Sequence, residues 1–366
     1  MRNLYRKVND YIPCWCLIIF ALTIFSGIIY FLCALFEGFA GFINKASIPI
    51  RAITSILSSV FPFSVAEVFI ILLPIWTILL VFLAIKLSKK GKKGSSQFLS
   101  ILFSFFCLYF IFFVWTYASG YHMKPIEEKM ELNREELTNE DVYNATIILS
   151  NELNSLANEI KYDEKGASIM PYSYKEMSKK ITQAYKSFSR ETGIVSTFNS
   201  RVKPLILSKP MMYTHLSGIY ICLTSEANVN TSYPDFIIIS SAAHEMAHQR
   251  GIAREDEASF IAFLVSRYSD DSFFKYSAYL DVYIDLLIDL KKRDQELYKL
   301  AREKIDNRII DDYNAFSKSF KEYSDSLASD ISDKINNTYL QANGDKDGTD
   351  SYNKISELVC AYLISK

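Results

Sequence analysis

Three long apolar runs in the first third of the chain restrict its architecture more than any other feature. Residues 13–36, 68–85 and 94–121 contain no charged side chain. Each is about as long as the ~20 residues that a bilayer-spanning helix needs. Buried helices of a soluble core keep a polar stripe, and these runs have none. Pro74 falls inside the second run, where neighbouring helices can satisfy the backbone groups freed by a kink. The first run is too long for the apolar region of a secretory signal and lacks an A-x-A cleavage pattern, so it reads as an uncleaved anchor. These features predict a membrane anchor over residues 1–121, with transmembrane helices at about residues 13–36, 64–85 and 97–119. A second domain, residues 122–366, follows.

The cations set an orientation. Arg2, Arg6 and Lys7 precede the first run, and Lys86, Lys89, Lys90, Lys92 and Lys93 separate the second from the third. The connection between the first two runs holds only Lys45 and Arg51. Positive residues collect on the cytoplasmic side, which puts the N-terminus and the lysine loop there. After three spans the C-terminal domain lies outside the cytoplasm, in a multi-pass protein of the cell membrane. Trp15, Trp115 and Tyr117 sit near run ends, as interfacial aromatics do. Residues 48–60 read equally as an amphipathic helix on the outer membrane surface or as an ordinary loop. The expected spans contain one charged residue, Glu67, near an end, which argues against a transport pathway. With a net charge of −1, nothing points to nucleic acid as a partner. The expected partners are the lipid bilayer and a peptide or protein substrate.

Beyond residue 121 the texture is that of a soluble, mostly helical domain. Residues 124–141 are highly charged and suggest a solvated stalk. Thr138 with Asp141, and Ser173 with Glu176, have the spacing of capping boxes that open helices. Residues 217–224 are rich in strand formers, and residues 226–230 are expected to continue that strand. Amphipathic helices are predicted over residues 255–267, 273–290, 294–336 and 352–364. Cys222 and Cys360 are the only cysteines of this domain; they can pair, but two cysteines make no framework.

The chemistry is concentrated in His244-Glu245-Met246-Ala247-His248, an HExxH motif that uses two of the chain's four histidines. Residues four apart on a helix share a face, so both imidazoles can reach one metal ion, with Glu245 placed beside it as general base for a metal-activated water. The preceding apolar stretch, residues 236–243, is far too short to cross a bilayer, so the motif does not sit inside the lipid. A catalytic zinc needs a third protein ligand. Gly251 can end the motif helix in a left-handed turn, after which a second helix would carry Glu255 or Glu257 back towards the histidines. His215 and Tyr220 are candidates for stabilising an oxyanion by proximity alone, and residues 218–224, with Gly218 and Tyr220, are the candidate edge for pairing with an extended substrate.

Glu255-Asp256-Glu257-Ala258-Ser259 resembles the E-x-x-A segment of gluzincin-type zinc peptidases. The resemblance implies Glu255 as third ligand, with Glu257 the alternative, and Ser259 as a hydrogen-bonding support for a ligand. The spacing from the motif is shorter than in most gluzincins, and serine stands where aspartate or asparagine is usual. The whole chain is similar to a bacterial membrane family, domain of unknown function 3810 (DUF3810). That likeness rests on the three-run N-terminus, on residues 217–220 and 226–230, on residues 244–251 and 255–258, and on the tail at residues 339–344 and 351–352. It implies a mainly α protein: three N-terminal transmembrane helices, then an extracytoplasmic, zincin-like α+β domain with a small sheet. The expected function is a membrane-anchored zinc metallopeptidase holding one Zn2+ per chain. The alternative is a catalytically silent module that keeps the fold and binds peptide or cell-envelope ligands.

Overall fold

The computed structural model describes residues 8–365 except residues 135, 322, 324 and 325. Arg2, Arg6 and Lys7, which helped to set the expected orientation, lie outside the described residues. The chain is mainly helical with one small sheet. Helices α1 (Cys14–Leu35) and α6 (Lys92–Thr116) have 22 and 25 residues. At ~1.5 Å per residue each covers the ~30 Å of a bilayer's hydrocarbon. They pack side by side: the rings of Phe20 and Phe103 are 5.4 Å apart, and the Trp115 indole N–H donates to Ser26 at 3.0 Å. Between them in sequence come α2 (Glu37–Ala46), α3 (Ile48–Ser59), α4 (Val65–Ile71) and α5 (Leu73–Ser88). The second apolar run is not one helix. It bends by 60° between α4 and α5, with Pro74 in the first turn of α5, where its missing N–H is tolerated. Among the described residues two helices are thus long and apolar enough to cross a membrane, or three if the bent pair is one span.

The segment joining the first two runs is helical and folds against the C-terminal region. Helix α3 buries its polar residues, Arg51, Ser55 and Ser58, and exposes Ile53, Ile56, Leu57 and Val60. Its polar face has partners because buried polar groups without hydrogen bonds are costly. The Lys203 ammonium donates to the carbonyls of Ser58 (2.7 Å), Phe63 (3.2 Å) and Phe61. The Glu226 carboxylate accepts the Val65 and Ala66 amides at 3.0 Å each, where the start of α4 leaves backbone donors unpaired. Glu67 in turn accepts the amides of Ile206 (2.9 Å) and Leu207 (2.6 Å). Its role is to tie α4 to the C-terminal region.

That region begins with a short 3-10 turn, Ala118–His122, and α7 (Ile126–Lys129). Residues 124–134 are not a free stalk: Ile126 is fully buried, and Arg134 pairs with Glu127 (2.5 Å) and Asp256 (3.1 Å). The charges there face specific partners on the domain they precede. Both capping boxes form, at the starts of α8 (Asn139–Leu156) and α9 (Tyr174–Thr192). After β1 (Lys203–Pro204) and α10 (Ser208–Met211) come β2 (Gly218–Ile221) and β3 (Glu226–Val229). The expected single strand over this stretch instead turns at residues 222–225, where Ser225 takes a positive φ of 48°, and β3 runs back antiparallel to β2. β1 joins parallel to β3, so the order is β1-β3-β2 and β2 is an edge.

The motif helix α11 (Asp235–Gln249) is buried along most of its length and is followed by α12 (Glu255–Arg267), α13 (Ser272–Arg293) and α14 (Gln295–Arg302). The remaining helices are α15 (Asn307–Lys321), α16 (Leu327–Ala342) and α17 (Ile355–Ile364). The expected long helix over residues 294–336 is broken into parts, with Asp294 and Ser326 capping α14 and α16. Cys222 and Cys360 are both buried free thiols, so the possible pairing does not form. At the end of α11 the amides of Gly251 and Ile252 donate to the carbonyls of His248 (2.9 Å) and Ala247 (3.2 Å). This is a Schellman turn with Gly251 at φ 95°, a conformation that disfavours any side chain. The inter-run segment grips that turn. Asn44 Nδ2 donates to the Gly251 carbonyl (2.8 Å), and Arg51 reaches the carbonyls of Arg250 (3.4 Å) and Thr116 (2.9 Å).

Replacing Arg51 by methionine removes the side-chain donor from the Thr116 and Arg250 carbonyls. The expected loss is ~2–4 kcal/mol of stability, measured by denaturant unfolding of the full chain in micelles. An unchanged midpoint would show that the guanidinium does not hold the two parts together.

Candidate metal centre

The Schellman turn decides the geometry of the site. It reverses the chain in a few residues, so that α12 starts beside the end of α11 and packs along it. Glu255, the first residue of α12, then faces both motif histidines. Its Oε2 lies 3.1 Å from His244 Nε2 and 3.2 Å from His248 Nε2. One donor atom from each of the three residues falls within 4.8 Å of the others. Among the described residues this is the group of His, Cys, Asp and Glu side chains arranged to hold a metal ion. The fit to zinc can be tested on these separations. Ligands ~2.0–2.1 Å from a tetrahedral ion are ~3.3 Å apart, close to the two observed nitrogen–oxygen distances.

The outer nitrogens of both rings are held. His248 Nδ1 lies 2.7 Å from the Ile252 carbonyl, which can only accept, so Nδ1 carries a proton. That carbonyl belongs to the turn made by Gly251. The Tyr117 hydroxyl, just past the end of α6, is 3.1 Å from the same nitrogen. His244 Nδ1 lies 2.9 Å from Ser259 Oγ. Such contacts fix ring orientation and leave each Nε2 facing the shared centre.

The charges respond to one another. Burial pulls His248 down, but the facing Glu255 carboxylate outweighs it and raises the imidazole to about 9. Burial pushes Glu255 up, but His248 and His244 overcome this and hold it well below the usual carboxylate range. His244 is lowered, by burial first and by His248 second. The space between the rings and the carboxylate thus favours positive charge, which a divalent cation there would supply.

Glu245 sits beside this group on the same helix, and burial raises it to about 8 against the opposing pull of His248. It reaches the sheet through Gly218: a Cβ there would come within 2.7 Å of the Glu245 carboxyl. The Tyr220 backbone amide, like His248, opposes that rise. Register explains why. Ser217 O accepts the Asn230 amide, so by the antiparallel alternation Ile219 also bonds inward, while Gly218 and Tyr220 turn their backbone groups to the free edge.

The three consecutive acids of α12 separate. Glu255 meets the histidines. Asp256 pairs with Arg134 at 3.1 Å. Glu257 accepts the Ile126 amide (2.9 Å) and pairs with Arg254 (3.0 Å), away from the shared centre. Two other candidates divide as well. His215 is engaged by Ser329 (3.2 Å) and the Tyr323 carbonyl (3.3 Å). The Tyr220 ring lies near His248, with centroids 6.4 Å apart. Sequence reasoning missed Tyr117, Asn44 and Arg51 as parts of this site. Arg51 had a visible signal, since Ser55 and Ser58 follow it on one helical face.

In chelator-stripped protein, Glu255→Gln removes the anion that raises His248, and burial then dominates. The His248 pKa should fall from about 9 to below the ordinary ~6.5, read by NMR of histidine-labelled chain. Glu257→Gln should leave it in place. Equal effects of the two would contradict the separation of these acids.

No curated protein and no solved structure matches the chain with significance. The family described as "Protein of unknown function (DUF3810)" matches residues 42–360, a span that starts in the inter-run segment and includes every residue of the centre. The chain belongs to the DUF3810 family.

Proposed function

We infer that the protein is a membrane-anchored zinc metallopeptidase. The observation that carries this reading is the meeting of His244, His248 and Glu255 around one point with the Glu245 carboxyl beside it. A structural metal site would not require the fourth group. Zinc bound by these three residues supplies Lewis acidity and lowers the pKa of water from ~15.7 to about 7. Glu245 takes the proton from the attacking water and returns it to the leaving amine. His248, held by Ile252 and Tyr117, and His244, held by Ser259, keep the ligand geometry during turnover. An extended substrate pairs with the outer edge of β2 through the outward backbone groups of Gly218 and the Tyr220 carbonyl.

The same reading takes the bent pair α4–α5 as a third span. By the positive-inside rule the lysine loop then lies in the cytoplasm and the centre outside it. The helix pair over a small sheet with HExxH beside the edge strand supports a zincin-like α+β arrangement. A silent module with the same fold would bind peptide and metal without needing Glu245.

The full chain should hold about one zinc. Glu245→Gln should keep the metal and lose at least ~100-fold in peptide hydrolysis. A variant that cuts as well as the parent removes Glu245 from the mechanism. A parent that binds zinc and peptide without cutting supports the silent module. For ligation, Glu255→Ala should weaken zinc binding by more than ~100-fold in chelator competition, while Glu257→Ala stays within about threefold. The reverse order would exchange the two assignments.

A further inference from the structure

The edge strand that borders the centre runs at its other end to α6, a helix long and apolar enough to cross a membrane. β2 passes from Gly218, beside Glu245, to Ile221, and the turn that follows carries Cys222. The Cys222 side chain is buried in one apolar cluster with Tyr117, against which Phe113 of α6 packs, and it lies beside Tyr109. Tyr109 lies on α6 seven residues before its last residue, Thr116. That is ~10 Å down the helix axis. The apolar stretch of α6, residues 98–115, is about as long as the hydrocarbon is thick. Tyr109 is therefore below the outer boundary of the bilayer, and the turn after β2 lies beside it there.

Two further elements agree. The Thr54 hydroxyl of α3 bonds Ser225 of the same turn at 2.6 Å, while the other face of α3 turns Ile53, Ile56, Leu57 and Val60 away from the protein. Leu223, at the tip of the turn, is 43 % exposed, and Ile206 is 68 % exposed. On the other side, Tyr339 of α16 meets Phe113, one turn above Tyr109 on α6, with centroids 6.3 Å apart. Exposed Leu327, Ile331 and Ile335 precede Tyr339 at four-residue spacing on one face of α16. Apolar surface of this extent, continuous with a membrane helix, fits lipid and not water.

We propose that the substrate is a polypeptide itself anchored in the membrane, cut in the extended segment where it leaves the bilayer. This rests on the peptidase reading of the centre. A strand that pairs along β2 from the lipid upward climbs ~3.4 Å per residue, so the bond facing Glu245 lies within about ten residues of the bilayer. Tethering both chains in one membrane also raises the effective concentration of that segment. A free peptide gains neither advantage.

The test uses the full chain loaded with zinc in lipid nanodiscs. One substrate is a single-span protein with an unstructured tail; the other is the same tail released from its span. The anchored form should be cut at least ~tenfold faster, with the cut mapped by mass spectrometry to within about ten residues of the span. Equal rates, or cuts spread along the tail, overturn the proposal and leave the peptidase reading standing. Failure to cut either substrate overturns both. A second measurement does not depend on hydrolysis: a bimane label at Leu223→Cys, in a Cys14→Ala background, exposed to quenchers. Nitroxide lipid should quench it more than aqueous iodide does. The opposite order removes β2 from the bilayer and overturns the proposal even for an active enzyme.

Discussion

The reversal of the chain at Gly251 is the constraint on which the rest depends. Only a residue tolerant of φ 95° can make that Schellman turn, and three consequences follow from it. It returns α12 along α11, which is how Glu255 meets two histidines that precede it by one short turn of sequence. It presents the Ile252 carbonyl to His248 Nδ1 and so fixes which ring nitrogen faces the centre. It also leaves a bare backbone against which Asn44 and Arg51 pack; a Cβ on Gly251 would stand 2.6 Å from both.

Because of that last contact, the first third of the chain is more than a tether. Arg51, Lys203, Glu226 and Glu67 are buried charges, each with hydrogen-bonding partners across the boundary between the apolar helices and the C-terminal region. Removing such groups from water is costly unless partners replace it, so these contacts specify one docking of the two parts. Tyr117, directly after α6, touches a motif histidine. The apolar helices and the candidate centre thus form one structural unit, and residues 122–366 taken alone would lack Arg51, Asn44 and Tyr117.

The local devices were legible in the sequence. The HExxH spacing, the two capping boxes, the stop at Gly251 and the apolar runs all rest on short-range rules; the elements they predict are present, except that the second run forms two helices bent by 60° and not one. Glu255 over Glu257 followed from a resemblance, and the geometry supplies the physical difference: Glu257 is taken by Ile126 and Arg254. What escaped depends on tertiary contact. Residues 222–225 read as continuous strand because their side chains suit one, while the reversal is set by Ser225 and by pairing with β3. Residues 124–134 read as a stalk because charge usually means solvent; their partners lie far away in sequence. Arg51 read as a topological marker; the small polar face it shares with Ser55 and Ser58 signals burial, but not the distant carbonyl of Arg250 that meets it there.

Zinc-edge X-ray absorption of the full chain, loaded with one equivalent of the ion, tests the central claim most directly. The account predicts a shell containing two imidazole nitrogens and carboxylate oxygen at ~2.0–2.2 Å, with no sulfur scatterer. A spectrum dominated by thiolate or by water alone, or a protein that retains no zinc after dialysis, would contradict it.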